Sequence, residues 1–174
     1  MASMRFPRPG LALAGLALAG SALCGCRSHD PQAELEIRDV ETYWIVDSPR
    51  AGENFIAPAV RFRLRNRGTQ ELGSVQARAR FPGTADEEPW GSIQEQVSTW
   101  RQPLRPGQDV VVVVRSVGRY HASADPEDMF RSPEFRDPRA EVFVRIGSSN
   151  WVRLAEAEVV RRIGAPGVEE LLAP

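Results

Sequence analysis

The chain of 174 residues is predicted to be all-β, a two-sheet antiparallel sandwich of about seven strands. Three observations carry that expectation. Apolar residues recur at every second position in several short segments, the period of a half-buried strand. Gly, Pro, Asn and Ser clusters separate those segments. No apolar repeat of helical period precedes Gly167–Leu172, where a frayed terminal turn is expected.

The elements follow in order. Glu34–Val46 (ELEIRDVETYWIV) alternates through Leu35 and Ile37, then changes phase near Arg38-Asp39, which predicts a bulge or bend. Ala59–Arg65 (AVRFRLR) is strictly period two, with Val60, Phe62 and Leu64 on one face and Arg61, Arg63 and Arg65 on the other. Asn66-Arg67-Gly68-Thr69 has turn chemistry. Val75–Phe81 (VQARARF) alternates again, with Val75, Ala77, Ala79 and Phe81 facing in. A weaker strand candidate runs from Trp90 to Trp100. Leu104-Arg105-Pro106-Gly107 turns the chain into Asp109–Arg115 (DVVVVVR), whose unbroken apolar run predicts burial on both faces or a central strand. Ala140–Ile146 (AEVFVRI) and Trp151–Val160 (WVRLAEAEVV) flank Gly147-Ser148-Ser149-Asn150, a hairpin signal.

The run VRFRLRNRGTQELGSVQARARF, followed by LRPGQDVVVVV, resembles the immunoglobulin-like adhesion and accessory modules of bacterial envelopes. In those modules a strand ends in Asn-x-Gly and a Pro-Gly turn launches a later strand. The resemblance covers residues 59–115 and implies an immunoglobulin-like sandwich. The Cys…Trp…Cys core of antibody domains is missing, so the resemblance carries architecture, and architecture implies no activity.

Both cysteines, Cys24 and Cys26, follow a leader that holds Arg5, Arg8, no acid and the uncharged run Leu11–Leu23. That run is shorter than the ~20 apolar residues a spanning helix needs. A basic segment, an apolar segment and small residues before a cut describe a secretory signal. A redox pair wants two residues between its cysteines beside a βαβ pattern. A zinc site wants four ligands, yet the only histidines are His29 and His121. Leu23-Cys24-Gly25-Cys26 resembles instead the lipobox of bacterial lipoproteins, in which Leu, a small residue and Gly or Ala precede a lipidated Cys. The resemblance implies cleavage after Gly25 and a diacylglyceryl thioether, usually with an N-acyl chain such as palmitate, on Cys26. Several chains together anchor stably where one is marginal. Arg27 stands where inner-membrane-retained lipoproteins of some bacteria carry Asp, which implies the outer membrane, facing the periplasm, in a cell with two membranes.

The expected organisation is a signal peptide over 1–25, a tether over 26–33, the sandwich over 34–164 and a tail over 165–174. The eight-residue tether reaches at most ~27 Å. All 22 basic residues are Arg, and removal of the signal leaves 20 of them against 23 acids, a net charge near −3 that argues against general nucleic-acid binding. With Cys26 lipidated the folded part has no cysteine, so this exported domain must stand on its core alone.

Candidate sites are few. If 60–65 and 75–81 form a hairpin with aligned apolar faces, Arg61, Arg63, Arg65, Arg78 and Arg80 share one outward surface. Either solvent and carboxylates such as Glu34, Glu36, Glu41, Glu156 or Glu158 neutralise them, or an anionic partner does: a lipid headgroup, a glycan phosphate or an acidic protein. Asp86-Glu87-Glu88 and Asp125-Pro126-Glu127-Asp128 are oxygen-rich loops without EF-hand spacing. His121 has Ser116 and Ser123 near it in sequence, the residue types of nucleophilic catalysis, but no nucleophile elbow. Gly118–Pro138 is a long segment without period, and Tyr120, Phe130 and Phe135 predict that it packs down on the domain. Trp90 and Trp100 either plug the sandwich or belong to a recognition surface.

The expected function is a lipid-anchored, non-catalytic binding or accessory module of the bacterial cell envelope, with no cofactor or metal. Its partners are the membrane, through Cys26, and an envelope protein or anionic ligand. The alternatives are an envelope hydrolase or transferase with a site around the 118–138 loop, and an anionic-ligand binder using the arginine face.

Overall fold

The computed structural model describes residues 29–46, 54–83, 90–122, 125–133 and 135–164. The leader, Cys24, Cys26, Arg27, the Asp86–Glu88 loop, Ser123 and the tail lie outside the described residues.

The described elements are a one-turn helix α1 (Pro31–Glu34), β1 (Leu35–Val46), β2 (Asn54–Asn66), β3 (Val75–Phe81), β4 (Trp90–Gly91), β5 (Glu95–Ser98), β6 (Asp109–Arg115), β7 (Tyr120–Ala122), a 3-10 helix (Pro126–Arg131), β8 (Arg139–Ile146) and β9 (Val152–Glu158). All strand pairs are antiparallel. One sheet has the order β1-β2-β6, with β7 pairing the start of β2 beyond the end of β6. The other has the order β3-β8-β9, with β4 and β5 on the free side of β3. The protein is an all-β two-sheet sandwich.

Period two puts one face of each strand between the sheets. Val60, Phe62 and Leu64 of β2 meet Val75, Ala77, Ala79 and Phe81 of β3 in one core, joined by Val112 and Val114 of β6 and by Val142, Val144 and Ile146 of β8. Asp39, at φ 49°, takes the extra residue of the bulge where the β1–β2 register slips between Arg38 and Glu41. Pro58 sits inside β2, starting the strand earlier than alternation alone predicts. It is tolerated because its missing N–H faces the junction between β6 and β7, where its carbonyl accepts from Ser116 N at 2.9 Å.

Three expectations change. The segment 67–74 carries the chain from one sheet to the other, so β2 and β3 form no hairpin. β6 is an edge strand, not a central one. Its outer valines, Val111 and Val113, lie directly opposite Arg63 and Arg61, whose aliphatic stems suit such neighbours. The stretch from Trp90 to Trp100 is two short strands followed by a turn closed by reciprocal 3.1 Å bonds between Thr99 and Gln102.

The two ends of the sandwich differ. One, the near end, gathers the start of β1, the 67–74 segment, the 99–108 loop and the 147–151 turn. Asn66, fully buried, ties these together: its Nδ2 donates to Gln70 O and Leu104 O, each at 2.8 Å, and its Oδ1 accepts from Gly68 N at 2.9 Å. Residues expected as tether are docked here. Asp30 caps α1 by accepting from Gln32 N, Pro31 opens the helix, and the Arg67 guanidinium donates to Gln32 O and Ala33 O. The far end holds β7, the 3-10 helix and residues 159–164.

Candidate functional site

The five arginines are divided between the two sheets. Arg61, Arg63 and Arg65 lie on the outer face of the β1-β2-β6 sheet, opposite Glu41 at 3.4 Å, Asp39 at 3.2 Å and Asp109 at 4.0 Å. Arg78 and Arg80 lie on the other sheet. Arg80 meets Glu141 at 4.0 Å, and the Arg78 guanidinium stacks 4.4 Å from the Trp151 ring and 5.7 Å from that of Phe143. The expectation of one shared surface is therefore corrected. Alternation reports which side chains face outward, not which sheet they face outward from. Every one of the five has a carboxylate or aromatic neighbour.

The far end builds a cleft of about 400 Å³, lined by Tyr120, His121, Asp125, Asp128, Met129, Ser132 and Phe135. Its base is an aromatic cluster. Trp44, from the buried end of β1, packs at ring distances of 5.8 Å on Tyr120, 5.9 Å on Phe130 and 5.1 Å on Phe135. Trp90 closes on Tyr120 edge-on at 4.8 Å. The 118–138 segment thus packs down as its aromatics predict. It does so with two elements too short for a period, β7 and a 3-10 helix capped by Asp125 through Glu127 N at 2.9 Å.

One residue pins the outer wall. Arg161, just past β9, forks onto Asp137 with two bonds of 2.7 Å, donates to Phe130 O at 2.6 Å and lies 5.2 Å over the Phe135 ring. The Asp137 hydrogen bonds raise the Arg161 pKa further above its already high value. Its charge is permanent.

The rim is polar and acidic. Asp128 pairs with Arg131 at 2.8 Å, and Asp125 keeps its cap. Among the described residues no three of His, Cys, Asp and Glu gather as a metal site. The exposed His121 ring rests against Phe55 at 5.1 Å. No hydrogen bond orients it among the described residues, whereas a nucleophile's base needs an orienting third group. Ser116 is buried, and its Oγ accepts from Gly118 N at 3.0 Å and faces Gly91 O at 3.4 Å. Those backbone contacts occupy the hydroxyl. Met129 and Ser132 were not singled out by sequence; the Asp-Pro pair at 125–126, an N-cap followed by a helix-opening Pro, is the signal that would have placed them.

Gly118 sets the position of Trp90. A Cβ there would stand 2.3 Å from Trp90 Cγ and Cδ2, and Trp90 is itself held against Tyr120. Gly118→Ala is expected to destabilise by about 1–3 kcal/mol through overpacking and to alter the near-ultraviolet circular dichroism of the cluster. Gly73→Ala should cost less, because the ring over it, Trp100, is exposed and free to swing. Parallel denaturant titrations compare them.

No protein-family model matches the chain, and no curated protein matches it. Among the described residues no helix is long and apolar enough to cross a membrane, which leaves β-barrels aside.

Proposed function

We propose that the protein is a lipid-anchored binding module of the bacterial envelope that takes its partner in the far-end cleft. The observation that carries this reading is the cleft itself, an aromatic and thioether floor under a rim of His121, Asp125, Asp128 and Ser132. Such a floor accepts an apolar side chain, and such a rim suits hydrogen-bond donors or a basic group. The acidic rim disfavours an anionic ligand here. An envelope protein presenting an apolar residue beside a basic one fits best. The anchor half of the reading is supported by the lipobox resemblance of Leu23-Cys24-Gly25-Cys26.

A photo-crosslinking residue at Asp128 should capture the partner in membranes, and one at Arg63 should not. Met129→Trp, which fills the floor, should abolish the Asp128 crosslink. Equal capture from both positions would place the partner elsewhere. The hydrolase or transferase reading of the same cleft makes a different prediction: His121→Ala would abolish the cellular function while leaving the crosslink intact.

A further inference from the structure

We propose that the near end of the sandwich is a membrane-contact surface, with Trp100 seated at the lipid interface and Arg101 and Arg105 on anionic headgroups. This rests on the reading of Cys26 as the anchor. The decisive juxtaposition is an exposed tryptophan on the same end as the docked start of the chain.

Trp100 is 82% exposed at the tip of the Thr99–Gln102 turn, far more than any other large apolar side chain among the described residues. Gly73 lets the ring lie against the backbone, since a Cβ there would be 2.1 Å from Trp100 Cε3. A large amphipathic ring exposed to this degree is costly in water and favoured at a membrane–water interface.

Its neighbours match that setting. Beside the turn runs a cleft of about 450 Å³ whose walls include Arg101, Arg105 and Gln108 over Val97, Leu104 and Val110. Arg101 makes no ion pair among the described residues, and Arg105 reaches only Glu71 at 3.7 Å, both of them well exposed. Guanidinium groups near an anionic leaflet add attraction. Apart from Glu71, the acids at this end have other contacts: Asp30 caps α1, Glu34 meets His29 Nδ1 at 2.9 Å, Glu36 meets Arg38 at 2.7 Å and Asp109 lies 4.0 Å from Arg65.

Docking of residues 29–34 shortens the leash. From Cys26 to His29 the chain spans at most about 10 Å. The Asn66 hydrogen bonds join the start of β1 to the loop carrying Trp100. No folded partner fits a gap that small, whereas a lipid surface fills it without cost in chain entropy. An anchor combined with a basic, aromatic patch is also the two-signal arrangement that makes lipid attachment durable.

The test uses the full chain, purified from membranes and reconstituted in vesicles of phosphatidylethanolamine and phosphatidylglycerol with brominated acyl chains. Tryptophan fluorescence is read for the parent and for Trp100→Phe, whose exposed site leaves the fold intact, and the mass of the Cys26 peptide is measured alongside. Bromine quenching of the parent, mostly lost in Trp100→Phe and reduced in the double variant Arg101→Gln with Arg105→Gln, is the expected result. With Cys26 acylated, equal quenching of parent and Trp100→Phe overturns the proposal while leaving the anchor standing. With Cys26 unmodified, quenching that still depends on Trp100 supports the surface and removes the anchor. Its absence there overturns both.

Discussion

Phe62→Ala should lower stability by about 3–5 kcal/mol, the cost of a large cavity in a closed core. Phe62 is fully buried in β2, directly opposite Val112 of β6, and faces the second sheet. The chain's only cysteines, Cys24 and Cys26, precede residue 29, so no disulfide cross-links the sandwich. Against a typical total of ~5–15 kcal/mol, such a loss takes a domain of this kind close to unfolding. Its neighbour gives the contrast. Arg63 is on the outer face and half-exposed, paired with Asp39 at 3.2 Å. Arg63→Ala should cost at most ~1 kcal/mol. Urea titration reads both as changes in midpoint at constant slope. Small and equal shifts would contradict the assignment of faces.

Asn66→Ala is expected to cost about 2–4 kcal/mol, more than a neutral polar truncation normally does. Three hydrogen bonds vanish at once, leaving the Leu104 carbonyl with the Leu72 N–H alone, at 3.0 Å. Asn66→Asp is the sharper probe. It keeps the shape but turns the donor facing two carbonyls into an acceptor. Burial and those carbonyls would raise the carboxyl's pKa in the folded state. A raised folded pKa gives stability that is complete below the unfolded value, near ~3.9, and that falls as pH rises through the folded one. The aspartate variant should therefore be closest to the parent in acid and weakest at neutral pH. A pH-independent difference would mean that Asn66 acts through shape alone.

Much of the fold was legible because alternation is a strong signal in short, half-buried strands. β3 and β6 begin and end where their patterns do, and the phase change at Arg38-Asp39 is a bulge. Pairing was harder. Val60, Phe62 and Leu64 and Val75, Ala77 and Ala79 would line one core whether their strands were neighbours or faced each other across the sandwich. The face was readable and the sheet was not, which is why five arginines looked like one surface. In β6, valines on both faces imitate a central strand, although the outer pair lies opposite Arg61 and Arg63. Of the cleft, the aromatics and His121 were visible, but its wall is a 3-10 helix of six residues. The Asp-Pro pairs at 30–31 and 125–126 open both short helices. Capping chemistry is the signal at both places, where periodicity gives none.

The end-to-end layout of β1 has a mechanical consequence. Its first residue, Leu35, is at the docked near end, and Trp44, near its other end, exchanges backbone bonds with Arg162 O at 2.8 Å and Gly164 N at 2.7 Å. Tension between the N-terminal segment and a load held at the far end would run parallel to this strand. Ladder bonds in an antiparallel pair lie perpendicular to the strands. Pulled along their length, β1 and β2 must shear many bonds together, whereas a pull at one edge would peel them singly. Loaded in that direction, the domain would resist being pulled open.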